Sequence, residues 1–174
     1  FDPGYGMDLA ALLAVTPPDP PSDFVAFWEA RYNHARSFTP CVEISQGRPA
    51  HGFEVADVTY ESTNNAKISG WLLTPEQGEV KRGFIVTHGY GGRGGPDFDL
   101  PVTDAALFFP CFRGLACSAQ APYSSDPAHH VLHNIDKPDE YILGGCVDDI
   151  WLAVSVLLSL FPAVRGHIGY CGIS

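Results

Sequence analysis

Hydrophobic and polar positions change period along the chain, and the changes mark its elements. Between Phe53 and Glu61 the two alternate through Val58 and Tyr60, the two-residue period of a half-buried strand. Lys67 to Leu73 carries a second strand. Thr63-Asn64-Asn65 supplies turn residues between them, so the pair predicts an antiparallel hairpin. Gly83-Phe84-Ile85-Val86-Thr87 and Ala106 to Phe112 are short continuous apolar runs, as expected of strands buried on both faces, although Pro110 weakens pairing inside the second. From near Gly145 the period becomes helical. Val147, Ile150, Trp151, Val154, Leu157, Leu158 and Phe161 share one face, and Pro162 ends the helix. A last strand runs from His167 to Ile173, with Ser174 at its tip.

Residues 1–40 read as a helical extension. Leu9 to Val15 is a short apolar helix, followed by the linker Pro17-Pro18-Asp19-Pro20-Pro21. Ser22 is placed to cap the next helix, with Asp23 in its first turn. Phe24, Phe27, Trp28, Tyr32 and Ala35 then form an apolar face suited to packing on the main body. Residues 113–144 are polar and long for a connection, which suggests a lid or an oligomer contact. The alternation of strand and helix predicts an α/β domain. Its central sheet should be mostly parallel, with an antiparallel N-terminal hairpin and helices on both faces. Phe1 is not an initiator methionine, and Ser174 directly follows a strand. The 174 residues are therefore read as the N-terminal part of one domain, 41–174 being the first half of its core sheet. Alone, that part is expected to be inactive and poorly soluble.

Composition narrows the partners. Hydrophobic residues make up 45 % and charged residues 17 %, a balance that excludes disorder. The formal net charge of −10 disfavours nucleic acid and anionic membrane surfaces. No run approaches a membrane span, and the apolar stretch Leu9 to Val15 has no basic residue before it, unlike a secretory leader. The cysteines at 41, 111, 117, 146 and 171 are odd in number and lack metal-type spacing, so they read as reduced thiols in a cytoplasmic protein. Cys111 and Cys171 fall in strand-like runs, where cysteine packs as a small hydrophobe.

Two stretches carry candidate chemistry. His88-Gly89-Tyr90-Gly91-Gly92 follows a buried strand, and glycines there permit the close approach that an oxyanion-binding loop needs. Tyr90 would donate through its backbone N–H. Gly172-Ile173-Ser174 follows the last strand and matches the first three positions of G-x-S-x-G, the turn that holds a nucleophilic serine above an α/β-hydrolase sheet. Alone, Gly-x-Ser is common and fits a turn serine capping the next helix better than a nucleophile. The two signals together, on strands separated by one more strand and an amphipathic helix, favour the catalytic reading. Gly89, Gly91 and Gly94 also spell the dinucleotide fingerprint G-x-G-x-x-G, but Pro96 and Pro101 interrupt the helix it should open. His129, His130 and His133 resemble a metal cluster, yet they sit in a polar loop without an acidic or cysteine partner at matching spacing, which favours a solvated loop or interface. Asp148 and Asp149 open the long helix, where acids favour its dipole, and take no catalytic role.

Ala26-Phe27-Trp28-Glu29, Asp57-Val58-Thr59-Tyr60 and Ile68 to Pro75, together with His88 to Gly94, resemble the N-terminal half of carbohydrate esterase family 7, the acetylxylan esterases and cephalosporin-C deacetylases. The resemblance implies an α/β-hydrolase fold and deacetylation of small acetylated substrates by a Ser-Asp-His triad. It also implies no cofactor and a hexameric homo-oligomer. It casts Ser174 as nucleophile and Tyr90 as an oxyanion donor, with the triad acid and histidine later in the chain. The sequence departs from the family at Leu115, where glutamine is usual after Arg113-Gly114, at Leu152, where arginine is common, and at Ile173, often glycine. These departures motivate one alternative, a catalytically inactive hydrolase-fold scaffold. The other is the dinucleotide-binding module.

Overall fold

The computed structural model describes residues 2–173. The chain divides into two compact units, Phe1–Ala30 and Arg31–Ser174. In the first, helix α1 (Leu9–Leu13) is capped by Asp8, whose carboxylate accepts from Ala11 N–H at 2.8 Å. Helix α2 (Phe24–Ser37) begins one residue later than Ser22 capping would require. The Asp23 carbonyl accepts from Phe27 N–H at 2.8 Å, so Asp23 occupies the position before the first helical residue.

In the second unit a seven-stranded sheet is built from β1 (Val42–Ile44), β2 (Arg48–Ala50), β3 (Phe53–Glu61), β4 (Lys67–Pro75), β5 (Arg82–Thr87), β6 (Ala105–Pro110) and β7 (Ile168–Gly172). Its order is β1-β3-β4-β6-β5-β7, with β2 also on β3. The hairpin is the expected one, in register from Phe53↔Pro75 to Glu61↔Lys67. Asn64 and Asn65 turn it at φ of 57° and 56°, the left-handed region that asparagine tolerates. Strands joined by short turns must run antiparallel, whereas β5, β6 and β7 are joined by long crossovers and pair in parallel. The sheet is thus mixed, and in these residues its antiparallel part, which includes the β4–β6 pairing, extends beyond the hairpin.

β6 is buried along its whole length because it lies inside the sheet. Its period of two splits the core. Ala106 and Phe108 join Val58, Tyr60, Ile68 and Ile85 on one face, under Leu152, Ala153, Val156 and Leu157 of helix α4 (Ile142–Leu160). Leu107 and Phe109 join Phe53, Val55 and Leu73 on the other. There the partly buried Phe98, Leu100 and Val102 of a loop pack on the sheet.

After β6 the chain forms the short helix α3 (Pro127–His130), then α4 (Ile142–Leu160). Asp126 caps α3 through Ala128 N–H at 2.9 Å, with proline at the first helical position. α4 starts three residues before Gly145. Gly144 and Gly145 lie inside it because arginines crowd that face: a Cβ on Gly144 would come 2.8 Å from Arg31 Cζ, and one on Gly145 2.6 Å from Arg113 Nη1. With 19 residues and a mean hydropathy of 1.7, α4 is long and apolar enough to cross a membrane, unlike the expectation from the sequence. Here its apolar face is spent on the sheet.

Candidate active site

The site is built where β5 and β7 end side by side. Their parallel register runs from Gly83↔Ile168 to Thr87↔Gly172, so the chain leaves both strands at the same edge. In open α/β sheets that carboxyl edge is where ligands bind. The two ends are in close contact. Thr87 Oγ1 is 2.9 Å from Tyr170 Oη, and a Cβ on residue 172 would run into Thr87 Oγ1, which is why glycine stands there. Ser174, the candidate nucleophile, lies outside the described residues.

The His88 loop is anchored on both sides. His88 is buried; its Nε2 accepts from Phe112 N–H at 3.2 Å and its Nδ1 is 2.7 Å from Gly89 O. Gly92, at φ 71°, closes the turn by donating to Gly89 O at 3.0 Å. Between them Tyr90 lays its ring edge-on against His130, centroids 5.7 Å apart. The Tyr90 hydroxyl is buried without a hydrogen-bond partner, and burial, with Cys146 and Tyr141 nearby, pushes its pKa up to about 12. The side chain therefore stays a neutral phenol.

Beside this loop lies a largely apolar cavity of about 280 Å³, lined by Tyr90, Phe112, Leu115, His130, Cys146 and Val147 among others. Leu115, one of the departures from the family pattern, thus puts a hydrocarbon on the cavity wall where glutamine would put an amide. Leu152, the second, is fully buried under the sheet, where an arginine would have no water. Ile173, the third, is exposed.

The cavity wall is tied down by an ionic network that sequence reasoning missed. Asp148 and Asp149 do not open α4; they lie in its interior and are buried. Arg113 Nη2 meets Asp149 Oδ1 at 2.6 Å, and Arg113 N–H donates to Asp149 Oδ2 at 3.1 Å. The same Nη2 donates to Ser62 and Thr63 hydroxyls at 3.1 and 3.0 Å. Asp148 takes two bonds of 2.8 Å from Arg31 and one of 2.7 Å from Thr63. Burial works against the Arg113 charge, and the Asp149 carboxylate more than offsets it, so the guanidinium is held above its ordinary range. Two adjacent acids deep in an apolar helix, next to two glycines, were the available signal.

The three histidines separate. His129 is exposed and pairs with Asp126, 3.0 Å away. His130, expected in a solvated loop, is fully buried, with Nε2 2.7 Å from Arg113 O. Among the described residues no group of histidine, cysteine and acid side chains could hold a metal. The dinucleotide alternative loses its footing, since among the described residues no helix lies between β5 and β6, and Gly89, Gly91 and Gly94 have no helix N-terminus to offer a pyrophosphate. All five cysteines are free. Cys111 is not merely a packed hydrophobe, because Cys117 Sγ lies 3.1 Å from its sulfur.

A model described as acetyl xylan esterase matches residues 7–164. Among solved structures, acetyl xylan esterase 1 from Thermoanaerobacterium sp. JW/SL YS485 is similar with a TM-score of 0.76 at 19 % identity, over 97 % of this chain and 56 % of that one. Acetyl xylan esterase from Paenibacillus sp. R4 is similar with a TM-score of 0.71 at 22 % identity, over 95 % of this chain and 56 % of that one. The fold is that of the α/β-hydrolases, and the chain spans 56 % of the length of each of these two structures.

Proposed function

Because the chain belongs to the acetyl xylan esterase family, we propose that the whole protein is a serine esterase that removes acetyl groups from small acetylated carbohydrates. In this reading Ser174 Oγ attacks the acetyl carbonyl while a histidine later in the chain takes its proton. The Tyr90 backbone N–H helps bind the oxyanion that forms. The sugar hydroxyl leaves with the proton, and water then hydrolyses the acetyl-serine by the same steps. The carbohydrate, the related cephalosporin esters, a homo-oligomeric state and a cytoplasmic location belong to the same proposal, which needs no cofactor.

The observation that carries it is the Thr87↔Gly172 register. β5 and β7, the strands that lead to the His88 loop and to Gly172, end side by side at one edge, which supports the juxtaposition that acyl transfer requires. The test is hydrolysis of a chromogenic acetate ester by the full-length protein. Ser174→Ala should lower kcat by roughly 10⁴-fold or more, as for nucleophiles of this type. Unchanged turnover in that variant would overturn the assignment.

A further inference from the structure

Two cysteines that the proposed hydrolysis does not use lie against each other beside the His88 loop. Cys111 directly follows β6 and is fully buried, whereas Cys117 is exposed in the turn Ala116–Ser118. They are six residues apart in sequence, and their sulfurs are 3.1 Å apart, the Cys117 thiol donating to Cys111. The intervening segment is already closed on itself. Leu115 N–H donates to Phe112 O at 2.9 Å, Gly114 N–H to Ser118 O at 3.0 Å, and Ser118 Oγ to Cys111 O at 2.9 Å. A disulfide bond is about 2.05 Å long, so the sulfurs need to close by only about 1 Å, without refolding of the segment.

The pair is also chemically asymmetric. The hydrogen bond from Cys117, opposed by burial and helped by His88, draws the Cys111 thiol down to about 5, and the same shared proton pushes Cys117 up. One sulfur is reachable by a small oxidant and its neighbour is poised as a thiolate. By contrast, burial pushes Cys146 on the cavity wall up to about 12, so it stays a thiol.

We propose that Cys111 and Cys117 form a redox-active dithiol that a low-molecular-weight disulfide converts reversibly to an intramolecular disulfide. Cys117 attacks one sulfur of the small disulfide as its proton passes across the contact to Cys111. A mixed disulfide forms and one small thiolate leaves, collecting that proton. The Cys111 thiolate then attacks Cys117 Sγ and expels the second small thiol, which takes its proton from solvent water made acidic by the first ionisation. In sum, two protein thiols and one small disulfide become one protein disulfide and two small thiols, a two-electron exchange. The ring so closed contains Phe112 and Leu115, which line the cavity, and Arg113, which ties that wall to α4. Oxidation therefore staples the cavity wall.

The experiment equilibrates the full-length protein in oxidised and reduced glutathione, quenches exchange with acid, blocks free thiols by alkylation in denaturant so that buried Cys111 is reached, and maps proteolytic peptides by mass. Cys111 and Cys117 should lose alkylation together and appear as one linked species. A roughly hundredfold change in the ratio of squared reduced to oxidised glutathione should take them from about one tenth to nine tenths linked. Dithiothreitol should restore both, and Cys117→Ser should leave Cys111 alkylatable at every ratio. The proposal is overturned if wild-type Cys111 stays alkylatable in fully oxidising buffer, or if glutathione remains on Cys117 without a link. Because the readout is the thiols and not turnover, it stands or falls separately from the esterase reading.

Discussion

At the scale of single residues, Tyr90 contributes through its backbone and its side chain in different ways. The N–H is the proposed oxyanion donor, while the hydroxyl is a buried group without a partner. Replacing an unsatisfied buried hydroxyl by hydrogen is neutral or stabilising by up to about 1 kcal/mol, so Tyr90→Phe should keep both stability and turnover. Tyr90→Pro removes the donor and should lower kcat by roughly 10²–10³-fold, with Tyr90→Ala as the control for loss of the ring. Gly114 is a second such residue. Its φ is 85°, and a Cβ there would come 2.6 Å from Tyr123 Cβ and 3.0 Å from the His130 ring. Gly114→Ala should therefore destabilise the full-length protein by about 1–3 kcal/mol in denaturant unfolding. The candidate loop and its tyrosine were legible in the sequence because glycine spacing after a strand is a local pattern. The burial of His130 was not, because it depends on the ring of a residue forty positions away.

At the scale of elements, helix α4 shows how a local rule can mislead. Glycine is a poor helix former, so Gly144-Gly145 reads as a boundary. Two guanidinium groups need that space, and the helix continues through it. The two acids just beyond then belong to the interior, where Arg31 and Arg113 neutralise them. Removing one partner of a buried pair leaves an uncompensated charge, so Asp149→Asn should destabilise by about 3–5 kcal/mol. Gly145→Ala tests the same contact from the other side. Helix propensity alone would favour alanine by about 1 kcal/mol, whereas displacement of Arg113 should make the variant less stable than wild type in chemical unfolding. A stabilised Gly145→Ala would mean that Arg113 yields easily. The hairpin and the buried strands β5 and β6 were legible because their periods are long enough to count. β1 and β2, three residues each, are held by pairing to β3 and have no period of their own.

At the scale of the whole molecule, the sheet changes its kind of pairing at β6, which runs antiparallel to β4 and parallel to β5, while α4 covers one face of the strands. The alternation of strands and helix indicated an α/β class. It could not reveal how far the antiparallel part would extend, since strand order is set by long-range pairing. Stability of this unit should depend on acid in a defined direction. Burial, the largest influence on His130, draws its pKa below the ordinary 6.5. The unfolded chain then takes up that proton first. The contribution of neutral His130 is complete above the ordinary value and is lost as pH falls below it. Thermal unfolding of the full-length protein should show this acid limb, and His130→Gln should flatten it. The claim on which the functional account rests is that the serine after β7 becomes acylated. Incubating the full-length protein with an acetate ester, quenching within the first turnovers and mapping its peptides should find an acetyl group on Ser174, and none there in Ser174→Ala. Steady release of acetate with Ser174 never acetylated would contradict the account.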